Sequence, residues 1–133
     1  MITARPGAQT PAVDTAVPPL DDETDGLFED LQGFSAGIDQ ILDGLRLIAL
    51  QQHTTDSTQT HLAVLAGDGP NITTLIARIV ARLGDPEQNP ALRDLPADRQ
   101  EAVRQLAAQY AHYDAEFAPR ELISETCAVI DGI

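Results

Sequence analysis

The spacing of apolar residues between positions 27 and 48 constrains the fold of this chain more than any other feature. The intervals alternate between four and three residues without interruption, which is the heptad pattern of helices that share an apolar seam. The seam positions hold Leu27, Leu31, Phe34, Ile38, Ile41, Leu45 and Ile48. In heptad letters, Leu31, Ile38 and Leu45 lie at a, whereas Leu27, Phe34, Ile41 and Ile48 lie at d. Leucine at a with isoleucine at d favours three or more parallel helices over two. The pattern therefore predicts a parallel coiled coil, with a trimer as the favoured oligomer.

The same register continues beyond residue 48 with mostly polar residues at the core positions. These are Gln52, Thr55 and Gln59, followed by Leu62. Polar core layers lower stability but set register and strand number, so they are compatible with one helix that reaches about residue 66. The threonines of this stretch leave an alternative open, because β-branched residues are mediocre helix formers. In that alternative, residues 52–60 form a loop between two antiparallel helices.

A cluster of six carboxylates precedes the seam. Its members are Asp21, Asp22, Glu23, Asp25, Glu29 and Asp30. Negative charge at the start of a helix complements the positive end of the helix dipole. A strip of this kind is also a candidate docking site for an arginine-rich partner, and Arg78 with Arg82 is the one concentrated basic feature that could meet it in another subunit.

The flanking regions predict an arm and a helical bundle. Residues 1–20 contain four prolines and no helical or strand period, which indicates an extended arm. A Gly-Asp-Gly-Pro break at residues 67–70 ends the coil, and Asn71 is a suitable cap for the next helix. Further helical periods follow it, with a capping box at Asp98 and Glu101. We therefore predict an all-α chain with an arm (1–20), an acidic start and coil (21–66) and a C-terminal helical region (67–133).

Composition argues against several classes of function. The 133 residues carry 8 basic side chains, all of them arginine, against 21 acidic ones, for a net charge of -13. This balance opposes binding to nucleic acid or to an anionic membrane. The chain has no tryptophan, two tyrosines and three phenylalanines, so it is poor in residues that line small-molecule pockets. With no signal peptide or membrane span in the sequence, we expect a virion or cytoplasmic location.

No arrangement of reactive side chains predicts catalysis, a cofactor or a metal. His53, His61 and His112 lack the spacing of a helical metal site, and Cys127 has no adjacent basic residue to lower its pKa. We therefore expect a non-enzymatic protein whose partners are further copies of itself and other proteins of a larger assembly.

An extended arm joined to an oligomeric coil resembles the organisation of small structural subunits of virions, such as tailed-phage fibres, connectors or capsid-associated proteins. That resemblance implies a structural role in which the arm docks on a neighbouring protein. A soluble helical chaperone or adaptor is the alternative, and an acidic DNA mimic is a third hypothesis. The chaperone would be a monomer or dimer, whereas the structural subunit would be a stable oligomer.

Overall fold

A computed structural model describes residues 16–132, and the regular secondary structure in that range consists of helices, with no strand. The α-helices are α1 (Asp22–Leu31), α2 (Ala36–Leu50), α3 (Thr55–Ala66), α4 (Ile72–Leu83), α5 (Ala97–Phe117) and α6 (Glu121–Asp131). A 3-10 turn at Pro90–Asp94 lies between α4 and α5. The predicted all-α class is confirmed. Most of the predicted arm lies outside the described residues, and positions 16–20 have no regular secondary structure.

The prediction of one continuous helix to residue 66 is wrong, and the first interruption lies at residues 32–35. Gly33 has a φ of 90°, in the left-handed region that glycine tolerates best. Its N–H donates to Asp39 Oδ1 at 2.8 Å, which ties the turn to α2. Ser35 caps α2, because its Oγ accepts from the Ile38 N–H at 3.1 Å. The heptad spacing of Leu27 to Ile48 therefore runs across a turn that contains Phe34.

The second interruption lies at residues 51–54 and also corrects the alternative loop at 52–60. Thr54 caps α3 by accepting from the Ser57 N–H at 3.0 Å, so residues 55–60 are helical and the loop is shorter than predicted. The Thr58 and Thr60 hydroxyls each donate to the backbone carbonyl four residues earlier, at 2.8 and 3.1 Å. These bonds let threonine side chains satisfy their polar groups within a helix.

The chain divides into two compact units, the first ending at His53 and the second beginning at Thr54. In the first unit α1 contacts α2. Phe28 and Leu42 are its buried apolar residues, and the guanidinium carbon of Arg46 lies 4.3 Å from the centre of the Phe28 ring. The small core of this unit is therefore formed by residues adjacent to the predicted seam positions.

In the second unit α4 packs against α5, and α3 packs against α4 and α6. This grouping places α3 with the C-terminal helices, whereas the sequence pattern assigned residues 55–66 to the coil. Asn71 caps α4 as predicted, with its Oδ1 accepting from the Thr74 N–H at 2.8 Å. The predicted capping box at Asp98 is wrong, because α5 begins at Ala97 and no side chain caps it.

Candidate functional site

The predicted seam residues of the first unit remain largely exposed. Phe34, in the turn, is 74% exposed, and on α2 both Ile38 and Ile41 are exposed together with Leu45, while Ile48 is half-buried. Leu27 and Leu31 of α1 are exposed as well. The α2 residues recur every three or four positions, so they form one continuous stripe on a helix. We call Ile38, Ile41, Leu45 and Ile48 the α2 stripe.

The polar continuation of the seam does not extend this stripe. Gln52 is exposed in the loop before α3, and Thr55 is the first residue of that helix. Gln59 donates from Nε2 to Asp131 Oδ1 at 2.7 Å, so it connects α3 to α6, and Leu62 is half-buried. The predicted core positions of residues 52–62 therefore belong to a loop and to the second unit, and not to a helix that continues α2.

The six carboxylates lie at the start of α1 and along it, and two of them already have roles within the chain. Asp21 caps the helix, with Oδ2 accepting from the Thr24 N–H at 3.1 Å. Hydrogen bonds from the Thr24 side chain and backbone hold the pKa of Asp21 below its usual value. Asp25 forms a surface ion pair with Arg46 at 3.4 Å. The other four, Asp22, Glu23, Glu29 and Asp30, are exposed.

Helices α4 and α5 approach each other through small residues. Ala77 is 2% exposed, and a Cβ at Gly84 would lie 2.4 Å from the Cβ of Ala107. Because the helices meet through alanine and glycine, the larger apolar side chains of α4 lie elsewhere on its surface and are exposed. These are Ile72, Leu75, Ile76, Ile79, Val80 and Leu83.

A second apolar stripe follows the outer surface of α5. Its members are Leu106, Tyr110, Tyr113 and Phe117, and all four are exposed. The rings of Tyr113 and Phe117 lie 5.6 Å apart between centroids, in a tilted arrangement. The packing face of α5 toward α4 includes Ala107, which is not part of this stripe.

Arg120 anchors the junction between α5 and α6, and sequence patterns contained no signal for this role. Its Nη2 donates to Asp114 Oδ2 at 2.7 Å and to Thr74 Oγ1 at 2.6 Å, while Nη1 donates to the Asp114 carbonyl at 2.7 Å. The Arg120 and Asp114 side chains are only 12% and 18% exposed. This network therefore connects α4, α5 and the start of α6.

A groove of 560 Å³ lies between α4 and α5 and carries three of the eight arginines. We call it the arginine groove. Alanines of both helices form much of its lining, and its polar side chains are Thr74, Arg78, Arg82, Asp85, Gln88, Arg104 and His112. Arg78 and Arg82 lie one turn apart on α4, as the sequence predicted. Arg104 of α5 is the member of the groove that sequence spacing did not identify.

The histidines and the cysteine make local contacts. His53 Nε2 lies 2.8 Å from the Ile48 carbonyl, and His61 Nδ1 lies 2.8 Å from the Ser57 carbonyl. The half-buried Cys127 thiol donates to the Gln59 carbonyl at 3.7 Å. Within residues 16–132, no three histidine, cysteine, aspartate or glutamate side chains are grouped to hold a metal ion. No helix of that same range is both long and apolar enough to cross a membrane.

No protein-family model, curated protein or solved structure matches this chain. The candidate sites are therefore its surfaces as the fold presents them: the α2 stripe, the α5 stripe, the exposed carboxylates of α1 and the arginine groove.

Proposed function

We propose that this chain is a non-enzymatic assembly subunit that forms homo-oligomers through the α2 stripe. The observation that carries the proposal is the contrast between neighbouring positions on one helix. Leu42 is buried within the chain, whereas Ile41 and Leu45 remain exposed. Contiguous apolar surface of this kind marks interaction sites in proteins.

Association would bury this stripe. Complete burial of an isoleucine or leucine side chain contributes about 1.5–3 kcal/mol of stabilisation. The part of each stripe side chain that is still exposed in the single chain can be buried on association and contribute a share of that free energy. The stripe occupies α2 alone, since turns separate it from α1 and α3. The exposed apolar side chains of α4 and the α5 stripe would supply further apolar area. A trimer is the favoured oligomer, because the leucine and isoleucine residues at the a and d positions of the stripe disfavour a coiled coil of two parallel helices.

The proposal extends to a larger assembly, such as a virion. There the N-terminal arm of residues 1–20 would lie in a groove of a neighbouring protein. An oligomer links several copies of that contact and strengthens it through avidity. Removal of residues 1–20 should then abolish incorporation into the assembly while leaving the oligomer intact. Normal incorporation of the truncated chain would contradict docking by the arm.

The oligomer is tested by sedimentation of the full chain over a hundredfold range of concentration. We expect a stable trimer that dissociates when the stripe is made polar by Ile41→Gln with Leu45→Gln. Leu47→Gln is the matched control, because Leu47 is 63% exposed on the same helix but lies outside the stripe. A monomer at every concentration, or equal dissociation by the control, would refute association through the α2 stripe.

A chaperone or adaptor remains the second candidate, and the exposed α5 stripe is the observation that favours it. An apolar helix face of this length could cover one face of a partner helix. A monomeric chain that captures an amphipathic peptide, and loses that capture with Tyr113→Gln and Phe117→Gln, would favour this function over the assembly subunit.

A further inference from the structure

The arginine groove is basic within a strongly acidic chain. Its lining holds the side chains of Arg78, Arg82 and Arg104 against one lining carboxylate, Asp85, and Glu101 pairs with Arg104 from outside the lining. The whole chain carries 21 acidic residues and 8 basic ones. A cationic surface on such a protein attracts an anionic partner, and other copies of the same chain present anionic surface at the same concentration.

The arginines of the groove are accessible to new partners. Arg78 is exposed and has no hydrogen bond or ion pair with any residue in the range 16–132. Arg82 donates from Nη1 to Gln88 Oε1 at 2.7 Å, which leaves further N–H donors on its guanidinium. Arg104 pairs with Glu101 on the surface of α5, where ion pairs exchange at little cost. A carboxylate can therefore enter the groove without disrupting a buried interaction.

The groove lining is about as long as a short helix. Its lining extends along α4 from Thr74 to Arg82, a length of roughly 12 Å at about 1.5 Å per residue. Alanines such as Ala81, Ala108 and Ala111 lie between the charged side chains. Small side chains let a second helix approach closely, since the distance between helix axes depends on the residues at the contact.

Helix α1 has the matching length and charge. It contains 10 residues, and Phe28 faces α2 as its buried residue. Glu23, Leu27 and Asp30 recur at intervals of four and three, so they share another face of the helix, and all three are exposed. Gly26 lies on that face, and a Cβ placed there would meet nothing within 4 Å. The face thus combines two carboxylates with one leucine and an open backbone.

We propose that α1 of one copy docks in the arginine groove of a second copy. Glu23 and Asp30 then face the arginines, and Leu27 lies against the alanines. The inference rests on the self-association of the proposed function but uses different surfaces. Because groove and helix differ, the contact is heterologous and joins copies head to tail. It is a second contact in addition to the α2 stripe. Together the two contacts extend an oligomer into a ring or a filament.

The first test compares two charge reversals in the full chain. Arg78→Glu lies in the groove, and Arg99→Glu makes the same change at an exposed position outside its lining. We expect the groove variant to weaken assembly beyond the α2-stripe oligomer at least tenfold at low salt, and the control to leave it unchanged. Equal loss in both would attribute the effect to net charge and overturn the docking. Far-UV circular dichroism confirms that both variants remain helical.

The second test exchanges the charges between two chains. One chain carries Arg78→Glu and Arg82→Glu, and the other carries Glu23→Arg and Asp30→Arg. Each variant alone should fail to assemble beyond the α2-stripe oligomer. Their equimolar mixture should restore assembly, because α1 of each variant then meets a groove of opposite charge in the other variant. A mixture that does not assemble overturns the inference. If wild-type oligomers persist and Arg78→Glu changes nothing, this inference fails alone; if the wild type is always monomeric, the proposed function fails with it.

Discussion

Gly84, which caps the C-terminus of α4, lies directly against Ala107 of α5. A Cβ at position 84 would lie 2.4 Å from the Cβ of Ala107, a distance that non-bonded carbons do not adopt. The φ of Gly84 is -89°, so the backbone itself would accept other residues. The glycine is therefore required by the neighbouring helix and not by its own conformation. This contact limits the side chain that position 84 can carry while α5 stays in place.

The first prediction concerns that contact. Gly84→Ala should lower the free energy of unfolding by about 1–3 kcal/mol, because the added methyl group forces α4 and α5 apart. Gly44→Ala is the control, since a Cβ there meets nothing within 4 Å and alanine favours a helix by about 1 kcal/mol. Urea unfolding measures both variants. Equal stability of Gly84→Ala and the wild type would contradict this prediction, since α4 and α5 would then accommodate the methyl group without a cost in the free energy of unfolding.

The second prediction concerns the network of Arg120. Asp114→Ala removes the carboxylate that accepts from Nη2 and leaves a largely buried guanidinium with fewer partners. We expect a loss of about 2 kcal/mol in the free energy of unfolding, as for other hydrogen bonds to charged groups. Asp25→Asn is the comparison, because its ion pair with Arg46 lies at the surface and should contribute less than about 0.5 kcal/mol. Losses of similar size would contradict a structural role for the Arg120 network.

The third prediction separates folding from association on α2. Leu42→Ala should lower the free energy of unfolding by about 2–3 kcal/mol, because it leaves a cavity beside Phe28. Ile41→Ala, at the adjacent exposed position, should destabilise the dissociated chain much less but weaken the oligomer. Unfolding is measured at low protein concentration, and sedimentation at high concentration. Indistinguishable effects of the two substitutions in both measurements would contradict the assignment of one residue to the core and the other to the interface.

The fourth prediction concerns acid titration of the α1 cap. Hydrogen bonds from Thr24 lower the pKa of Asp21 in the folded chain, with the Thr24 side chain as the largest cause. A lowered folded-state pKa means that the cap stabilises the fold above the unfolded pKa and loses that effect as the pH falls through the folded value. In Thr24→Ala the Asp21 pKa should rise toward its usual value. Carbon-detected NMR of the carboxyl group measures the midpoint, and an unchanged midpoint would exclude the side-chain hydrogen bond.

Sequence patterns predicted the helices of this chain better than their connections. The caps illustrate the difference. Asn71 follows a Gly-Pro break and its side chain can satisfy free amides locally, so its role was predictable. Gly33 lies within an unbroken heptad spacing, and only its φ of 90° reveals a turn. Heptad spacing depends only on intervals along the sequence. One helix and two helices joined by a short turn can therefore show the same spacing.

The choice of core residues was the least predictable feature. Leu42 and Ile41 are adjacent, similar in hydrophobicity and both helical, and the heptad pattern selected Ile41 for burial in a seam. The chain buries Leu42, because α1 folds back on α2 after the turn at Gly33 and brings Phe28 to that side. Likewise, Arg120 acquires its partners Asp114 and Thr74 only when α4, α5 and α6 meet.

The sequence by itself determined the all-α class, the cap of α4, the acidic start of α1 and an apolar stripe on α2, because each depends on residues within a few turns of one another. Only the tertiary structure decided where the long helix breaks, which apolar residues form the core of each unit and which remain exposed. Those outcomes depend on contacts between residues far apart in sequence, such as Arg120 with Thr74 and Ala107 with Gly84. No local periodicity contains that information, since the burial of a helix face depends on what packs against it.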